Sequence, residues 1–186
     1  MTTAILSNIV EQLRDTVGAE NVLAARSDLL VYECDGFVIE KNSPDVVVFP
    51  RNTEDVSSIV KICNREDVPF LPRGAGTSLA GGCLPVGGGV MIVMTRMKEI
   101  LEVNLRDRYA IVQSGLVNVW LTNALKGTGY HYAPDPSSQG ACTIGGNVAT
   151  NSGGPHTLKY GVTVNHTLGI EAVTADGQIV QFGGPA

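Results

Sequence analysis

The chain has 186 residues, 44% of them hydrophobic and 17% charged, with a formal net charge of −5. A chain of this length buries roughly 70% of its extended surface on folding, so it holds a real core, and the composition excludes intrinsic disorder. The acidic balance, with no basic run, argues against nucleic acid or an anionic membrane as partner, and no apolar stretch reaches the ~20 residues of a spanning helix. The expectation is a soluble, cytoplasmic protein of one domain or two small subdomains. Cys34, Cys63, Cys83 and Cys142 are far apart and show no CxxC spacing, so they read as buried free thiols in a reducing compartment.

Ile5, Leu6, Ile9, Val10 and Leu13 recur at helical spacing. With Thr3 as N-cap and Gly18 as stop, they predict an amphipathic helix over residues 4–17, whose Glu11 and Asp15 face solvent. A shorter helix is expected over Asp28–Cys34. Asp45–Phe49 is a continuous apolar run closed by Pro50, the pattern of a strand buried on both faces. Thr53 is the expected cap of a helix running to about Asn64. Strands at Val68–Leu71 and Val90–Met94 would complete a parallel βαβ unit with a right-handed crossover.

Beyond residue 95 the pattern changes. Ile100–Asn104 and Tyr109–Gln113 predict an antiparallel hairpin, and Val117–Lys126 a helix ending at Gly127. That helix should bury Trp120 with Leu116, Leu121 and Leu125. Residues 166–174 and 178–182 flank Asp176-Gly177, the dipeptide favoured by a type I′ hairpin turn. The fold class expected is α+β, with a subdomain over 1–97 built on a small parallel βαβ sheet and another over 98–186 that is mostly antiparallel. An apolar strand so near residue 186 would leave a bare sheet edge, so the sequence reads as the front part of a longer protein.

Glycine is the unusual residue. Of the 22, seven lie in Arg73–Val90 and five in Gly140–Pro155. The first window, Pro72 to Gly82, follows a strand, as phosphate-binding loops do. It lacks the third glycine of a dinucleotide fingerprint and the Gly-Lys-Ser/Thr ending of a P-loop. What is left is either a plain turn or a row of small residues whose N–H groups converge on an anion, with Thr77 and Ser78 hydroxyls and the Arg73 cation nearby. The second window, Ala133 to Pro155, has no charge after Asp135. Its small residues allow close backbone approach, and Ser137, Ser138, Thr143, Asn147, Thr150 and Asn151 offer neutral donors and acceptors. Such a surface suits a polar heteroaromatic ring and its sugar or ribityl hydroxyls, unless it is merely a solvent loop. Together the windows suggest one dinucleotide laid across two subdomains. His131, His156 and His166 have no metal-ligand spacing, so no metal site and no catalytic set is expected; His156 reads as a satisfied or exposed loop residue.

The order PRGAGTSLAGG, APDPSSQGACTIGGNVATNSGG and YGVTVNHTLGIEAVTADG strongly resembles FAD-linked oxidases of the vanillyl-alcohol oxidase (PCMH-type) class. Within it, the sequence is similar to the branch of the glycolate oxidase D-subunit, D-lactate dehydrogenases and D-2-hydroxyglutarate dehydrogenase. The resemblance covers residues 32–177. It implies the PCMH-type two-subdomain flavin module, with the pyrophosphate on Arg73, Gly74, Ala75, Gly76, Thr77 and Ser78 of the loop at 72–82. It also implies that Pro134, Asp135, Ser138, Gly140, Ala141, Thr143, Gly145, Gly146, Asn151, Ser152 and Gly153 line the rest of the cofactor. Covalent members carry a His in the first loop. Thr77 and Ser78 stand there instead, so the FAD is expected to bind non-covalently.

The activity implied is hydride transfer from the α-carbon of a small 2-hydroxy acid to flavin N5, with an unidentified electron acceptor or partner subunits. Substrate and catalytic residues would lie beyond residue 186. The same module on a sugar lactone, an aromatic alcohol or a peptidoglycan precursor is the alternative enzyme. A non-catalytic nucleotide-binding or regulatory subunit is the alternative from another class, which the intact glycine loops disfavour.

Overall fold

The computed structural model describes residues 3–185, with side chains from residue 5, so the cap expected at Thr3 lies outside the described side chains. The chain divides into two compact units. The first ends at Arg96 and takes in Glu171–Val180; the second holds Met97–Ile170 and resumes at Gln181.

The first unit opens with helix α1 (Thr3–Val17), whose Ile9, Leu13 and Val17 are fully buried. It ends at Gly18, whose N–H still donates to Arg14 O (2.9 Å). Then come strand β1 (Val22–Leu23), a short helix α2 (Arg26–Leu29) continued as a 3-10 turn to Tyr32, and strand β2 (Val46–Val48). Helix α3 (Thr53–Arg65) and strands β3 (Phe70–Arg73) and β4 (Val90–Val93) complete it. The cap of α3 is Asn52 rather than the expected Thr53: its side chain accepts Asp55 N (2.7 Å), which leaves the Thr53 hydroxyl for Glu171 (2.5 Å). Helices α1 and α3 pack together, and Asn8 and Gln12 both donate to Glu66.

Four strands form one sheet in the order β1-β2-β4-β3. β2, β4 and β3 are parallel, and β1 adds an antiparallel edge. The βαβ unit thus exists, but β4 lies between its two strands. Burial explains the order: every residue of β4 is at most 2% exposed, whereas β3 is half-exposed and carries Pro72, which has no N–H for a further neighbour. Leu29, Val47, Phe49, Met91 and Val93 form a core cluster, with Tyr32 packed against it.

The second unit has an antiparallel pair, β5 (Ile100–Asn104) and β6 (Tyr109–Val112), with an irregularity between Ile100 and Glu102. Helix α4 (Asn118–Ala124) follows, buried through Leu121 and flanked by buried Leu116 and Leu125. Trp120 departs from expectation: it is 44% exposed, with the Lys98 ammonium 5.9 Å from its ring centroid. Helices α5 (Ile144–Thr150) and α6 (Thr157–Tyr160) come next. The hairpin β7 (Gly169–Val173) and β8 (Ile179–Gly183) then passes into the first unit, where its turn docks on α3. There Ser57 donates to Gly177 O (2.6 Å) and Asn64 to Ala175 O (2.7 Å).

That turn is not type I′. Gly177 has φ +82° but Asp176 stays at negative φ, and Gly177 N donates to Thr174 O (2.9 Å). Asp176 instead spends its carboxylate on Thr174 and Gln178, a local bond pattern that closes a five-residue loop. Among the described residues, no helix is long and apolar enough to cross a membrane and no three metal-binding side chains cluster. All four cysteines are free, and Cys34 is half-buried rather than buried.

Candidate FAD-binding site

In the first unit, β3 ends at Arg73 and the chain turns through Gly74–Ser78 without forming a helix. Gly76 takes φ +70° at the apex. Among the described residues, the backbone N–H groups of Ala75, Gly76, Thr77 and Ser78 donate to no protein acceptor. These are four consecutive donors without a protein partner in a half-buried loop, open to an acceptor from outside the chain.

Arg73 has a different place from the one its position suggests. It is 7% exposed and points inward, donating to Cys34 O (2.8 Å) and to the Cys83 sulfur (3.4 Å), with its guanidinium 5.8 Å from the Tyr32 ring centroid. A Cβ on Gly76 would lie 2.0 Å from Arg73 Nη2. The guanidinium therefore lies against the backbone of Gly76 and brings positive potential to the loop while its own donors are spent inside the protein.

The second window lies in the second unit and is largely ordered by itself. Thr143 caps α5, accepting Gly146 N (3.3 Å), and Gly145 N donates to Ser114 O (2.7 Å). Glycines inside a helix cost stability; here Gly145 is required because a Cβ would sit 2.7 Å from Ser114 Cβ. Asn151 ends the helix in the left-handed region and accepts Val164 N (3.0 Å), while Ser152 O takes both donors of Thr163. Ser138 O accepts Ala141 and Cys142 N–H, and Asn118 holds Pro134 O (3.1 Å). Gly140, Ala141 and Gly153 are exposed, and the N–H groups of Gly140 and Gly153 have no protein acceptor among the described residues. Asn147, 3% exposed, leaves its Nδ2 without a partner.

His156 binds Asp135 through Nδ1, so the two ends of this window are tied together. That bond is the main reason the Asp135 carboxyl is held below the usual carboxylate range. A lowered native value means the tie contributes fully above the ordinary carboxylate range and is lost as pH falls through the native value. His156→Ala is therefore expected to raise the Asp135 pKa in a carboxylate NMR titration and to flatten acid destabilisation below the ordinary carboxylate range by a small margin, since the imidazole is 66% exposed. An unmoved Asp135 titration would show the tie to be absent in solution. Burial also pushes the Tyr132 phenol up to about 12, so it stays protonated across the physiological range.

Comparison with known proteins decides what this arrangement belongs to. Residues 44–183 match the FAD binding domain family. The chain belongs to that family. Glycolate oxidase subunit GlcD of Escherichia coli strain K12 is 45% identical over 180 residues, 97% of this chain and 36% of that protein. D-lactate dehydrogenase of Anaerostipes hadrus is 41% identical over 143 residues, 77% of this chain and 30% of that protein. The crystal structure of p-cresol methylhydroxylase with substrate bound superposes with a TM-score of 0.84 at 23% identity, over 97% of this chain and 36% of that one. At that identity the match shows the fold alone, which is the PCMH-type α+β fold expected. The chain spans about a third of the length of the curated relatives it matches.

FAD is the cofactor of this family, and the geometry fits it. A pyrophosphate needs several donors and positive potential; Ala75–Ser78 offer four unpaired N–H groups and the guanidinium of Arg73 a nearby positive charge. The residues missing from the sequence reading are Tyr32, Cys34, Asp35 and Gly36, which support this loop from an earlier segment and carry no motif of their own.

Proposed function

We propose that this chain is the FAD-binding part of a 2-hydroxy-acid dehydrogenase or oxidase of the glycolate or D-lactate type. The observation that carries the reading is the row of four unpaired N–H groups at Ala75–Ser78 with Arg73 behind it, in a chain 45% identical to a glycolate oxidase subunit. When bound, FAD supplies a two-electron acceptor at N5 for the hydride of the substrate's α-carbon. The residues of this chain bind and orient it. Gly74, Ala75, Gly76, Thr77 and Ser78 receive the pyrophosphate through backbone N–H groups, and Arg73 acts by charge from beneath. Pro134, Asp135, Ser138, Gly140, Ala141, Thr143, Gly145, Gly146, Asn151, Ser152 and Gly153 line the remainder; the pyrophosphate subdomain is 1–97 and the other 98–186, save that Glu171–Val180 pack with the first.

The binding is non-covalent, because neither Thr77 nor Ser78 is a residue that links to a flavin ring in the way a His does. A relative named as a subunit supports partner subunits in the working assembly, and four free thiols support a cytoplasmic setting. The test is anaerobic mixing of the purified protein, made to the full length of its reading frame, with candidate donors while following the visible flavin band. Glycolate or D-lactate should bleach it. Bleaching only by a sugar lactone or a phenolic alcohol would overturn the substrate class and leave the cofactor standing.

A further inference from the structure

The segment Tyr32-Glu33-Cys34-Asp35-Gly36 has no role in the motif reading, yet it meets the first glycine loop at three successive points. Cys34 O accepts Arg73 Nη2 (2.8 Å), Gly36 N donates to Ser78 O (2.9 Å), and Asp35 Oδ2 accepts Gly81 N (2.9 Å). The other Asp35 oxygen accepts Phe37 N (2.8 Å), so both oxygens are committed to backbone donors. Asp35 is 5% exposed.

Burying a carboxylate is costly unless every oxygen is answered, and here the answer comes from the far end of a surface loop. Three ties at residues 73, 78 and 81 bracket the four free donors of Ala75–Ser78. The approach is close: a Cβ on Gly36 would stand 2.9 Å from Thr77 O and 3.0 Å from Ser78 O. With the Thr77 carbonyl against Gly36, the N–H of the same trans peptide, that of Ser78, is turned to the opposite side, and the ties at residues 73 and 81 fix the two ends of the loop that carries the other three donors.

We propose that Asp35 is a positioning residue for the cofactor, fixing the loop in its anion-receiving shape before FAD arrives. The proposal rests on the pyrophosphate assignment made above. A pre-ordered loop spends less of its binding free energy on ordering itself, so the clamp acts on affinity for FAD more than on the fold.

The experiment uses Asp35→Asn in the protein made to the full length of its reading frame. FAD is titrated into deflavinated wild type and variant, and both are melted with and without saturating FAD. An amide in place of the carboxylate turns an N–H₂ toward one of the two backbone donors, so Kd for FAD should rise at least about tenfold. The rise in Tm that FAD produces should shrink, while the Tm of the apoprotein falls less. Equal losses of Tm with and without FAD, at unchanged Kd, would overturn the proposal and make Asp35 a fold residue only. If Asp35→Asn does not fold, Gly36→Ala takes its place: it keeps the carboxylate, crowds the Thr77 carbonyl, and should weaken FAD by a similar factor. Wild-type affinity in that variant would overturn the clamp. A wild type that binds no FAD would overturn the cofactor assignment itself, a separate and recognisable result.

Discussion

Gly76→Leu should abolish FAD binding, lowering affinity by at least about 100-fold, or roughly 2.8 kcal/mol. Two effects add. Residue 76 takes φ +70°, where a side chain costs about 1–2 kcal/mol, and its Cβ would lie 2.0 Å from Arg73 Nη2. With the pyrophosphate on this loop, a bulky residue at 76 would also stand in the way of the phosphates. The structure shows that it first meets the guanidinium and dislodges it from Cys34 O and the Cys83 sulfur. The loop then loses its shape and its charge together. A double variant separates the two: Arg73→Ala with Gly76→Ala removes the collision and should recover part of the Tm lost by Gly76→Ala alone, without restoring FAD. Gly76→Leu that binds FAD as tightly as wild type would refute the loop assignment.

Gly154→Ala should be the most damaging small substitution in the second unit. The added methyl would lie 2.1 Å from Asp135 O and 2.4 Å from its carbonyl carbon, both backbone atoms that cannot rotate aside. The strand of chain at 153–156 must back away from Asp135, breaking the His156–Asp135 bond and the bond from Gly154 N to Thr157 Oγ1 (2.7 Å). An overpacked contact with lost hydrogen bonds costs about 2–3 kcal/mol, which for a chain of this size lowers Tm by roughly 5–10 °C. Calorimetry measures it directly; a shift under about 2 °C would show that the two segments are not in contact in solution.

Much of this was written in local patterns. The Val46–Val48 run has one physical solution, a strand covered on both faces, and all three side chains are fully buried. Gly18 and the polar turn before Tyr109 marked an end and a hairpin because backbone chemistry there is local. What depended on distant partners was not legible. Val22–Leu23 becomes a strand only because β2 offers an open edge, and two residues carry no periodicity. The order of β3 and β4 follows from relative burial, which a pattern of apolar runs does not rank. Asn52 and Thr53 are both good caps, and sequence alone does not rank them; Asn52 takes Asp55 N while the Thr53 hydroxyl goes to Glu171, more than a hundred positions away.

The glycine loops divide the same way. Their composition left a plain turn or solvent loop open beside a close backbone approach to a ligand, and the amides of Ala75–Ser78 lack protein acceptors among the described residues. Composition placed Arg73 only as a cation near the loop, and the family resemblance counted it among the residues that hold the pyrophosphate. Its inward turn depends on Tyr32, Cys34 and Cys83, from 10 to about 40 positions away in sequence, and nothing at residue 73 encodes that. Helix α5 was hidden by Gly145 and Gly146, poor helix formers; Gly145 leaves the space that Ser114 fills, and Gly146 lies against the capping hydroxyl of Thr143.

The measurement that bears most directly on the central claim is a visible absorption spectrum of the purified protein, made to the full length of its reading frame. It should be taken before and after adding FAD, then again after denaturation and filtration. A flavin band that changes on binding and passes into the filtrate on denaturation is the predicted result. Flavin retained on the denatured chain would contradict non-covalent binding at Thr77 and Ser78. A colourless protein that takes up no FAD would contradict the account as a whole.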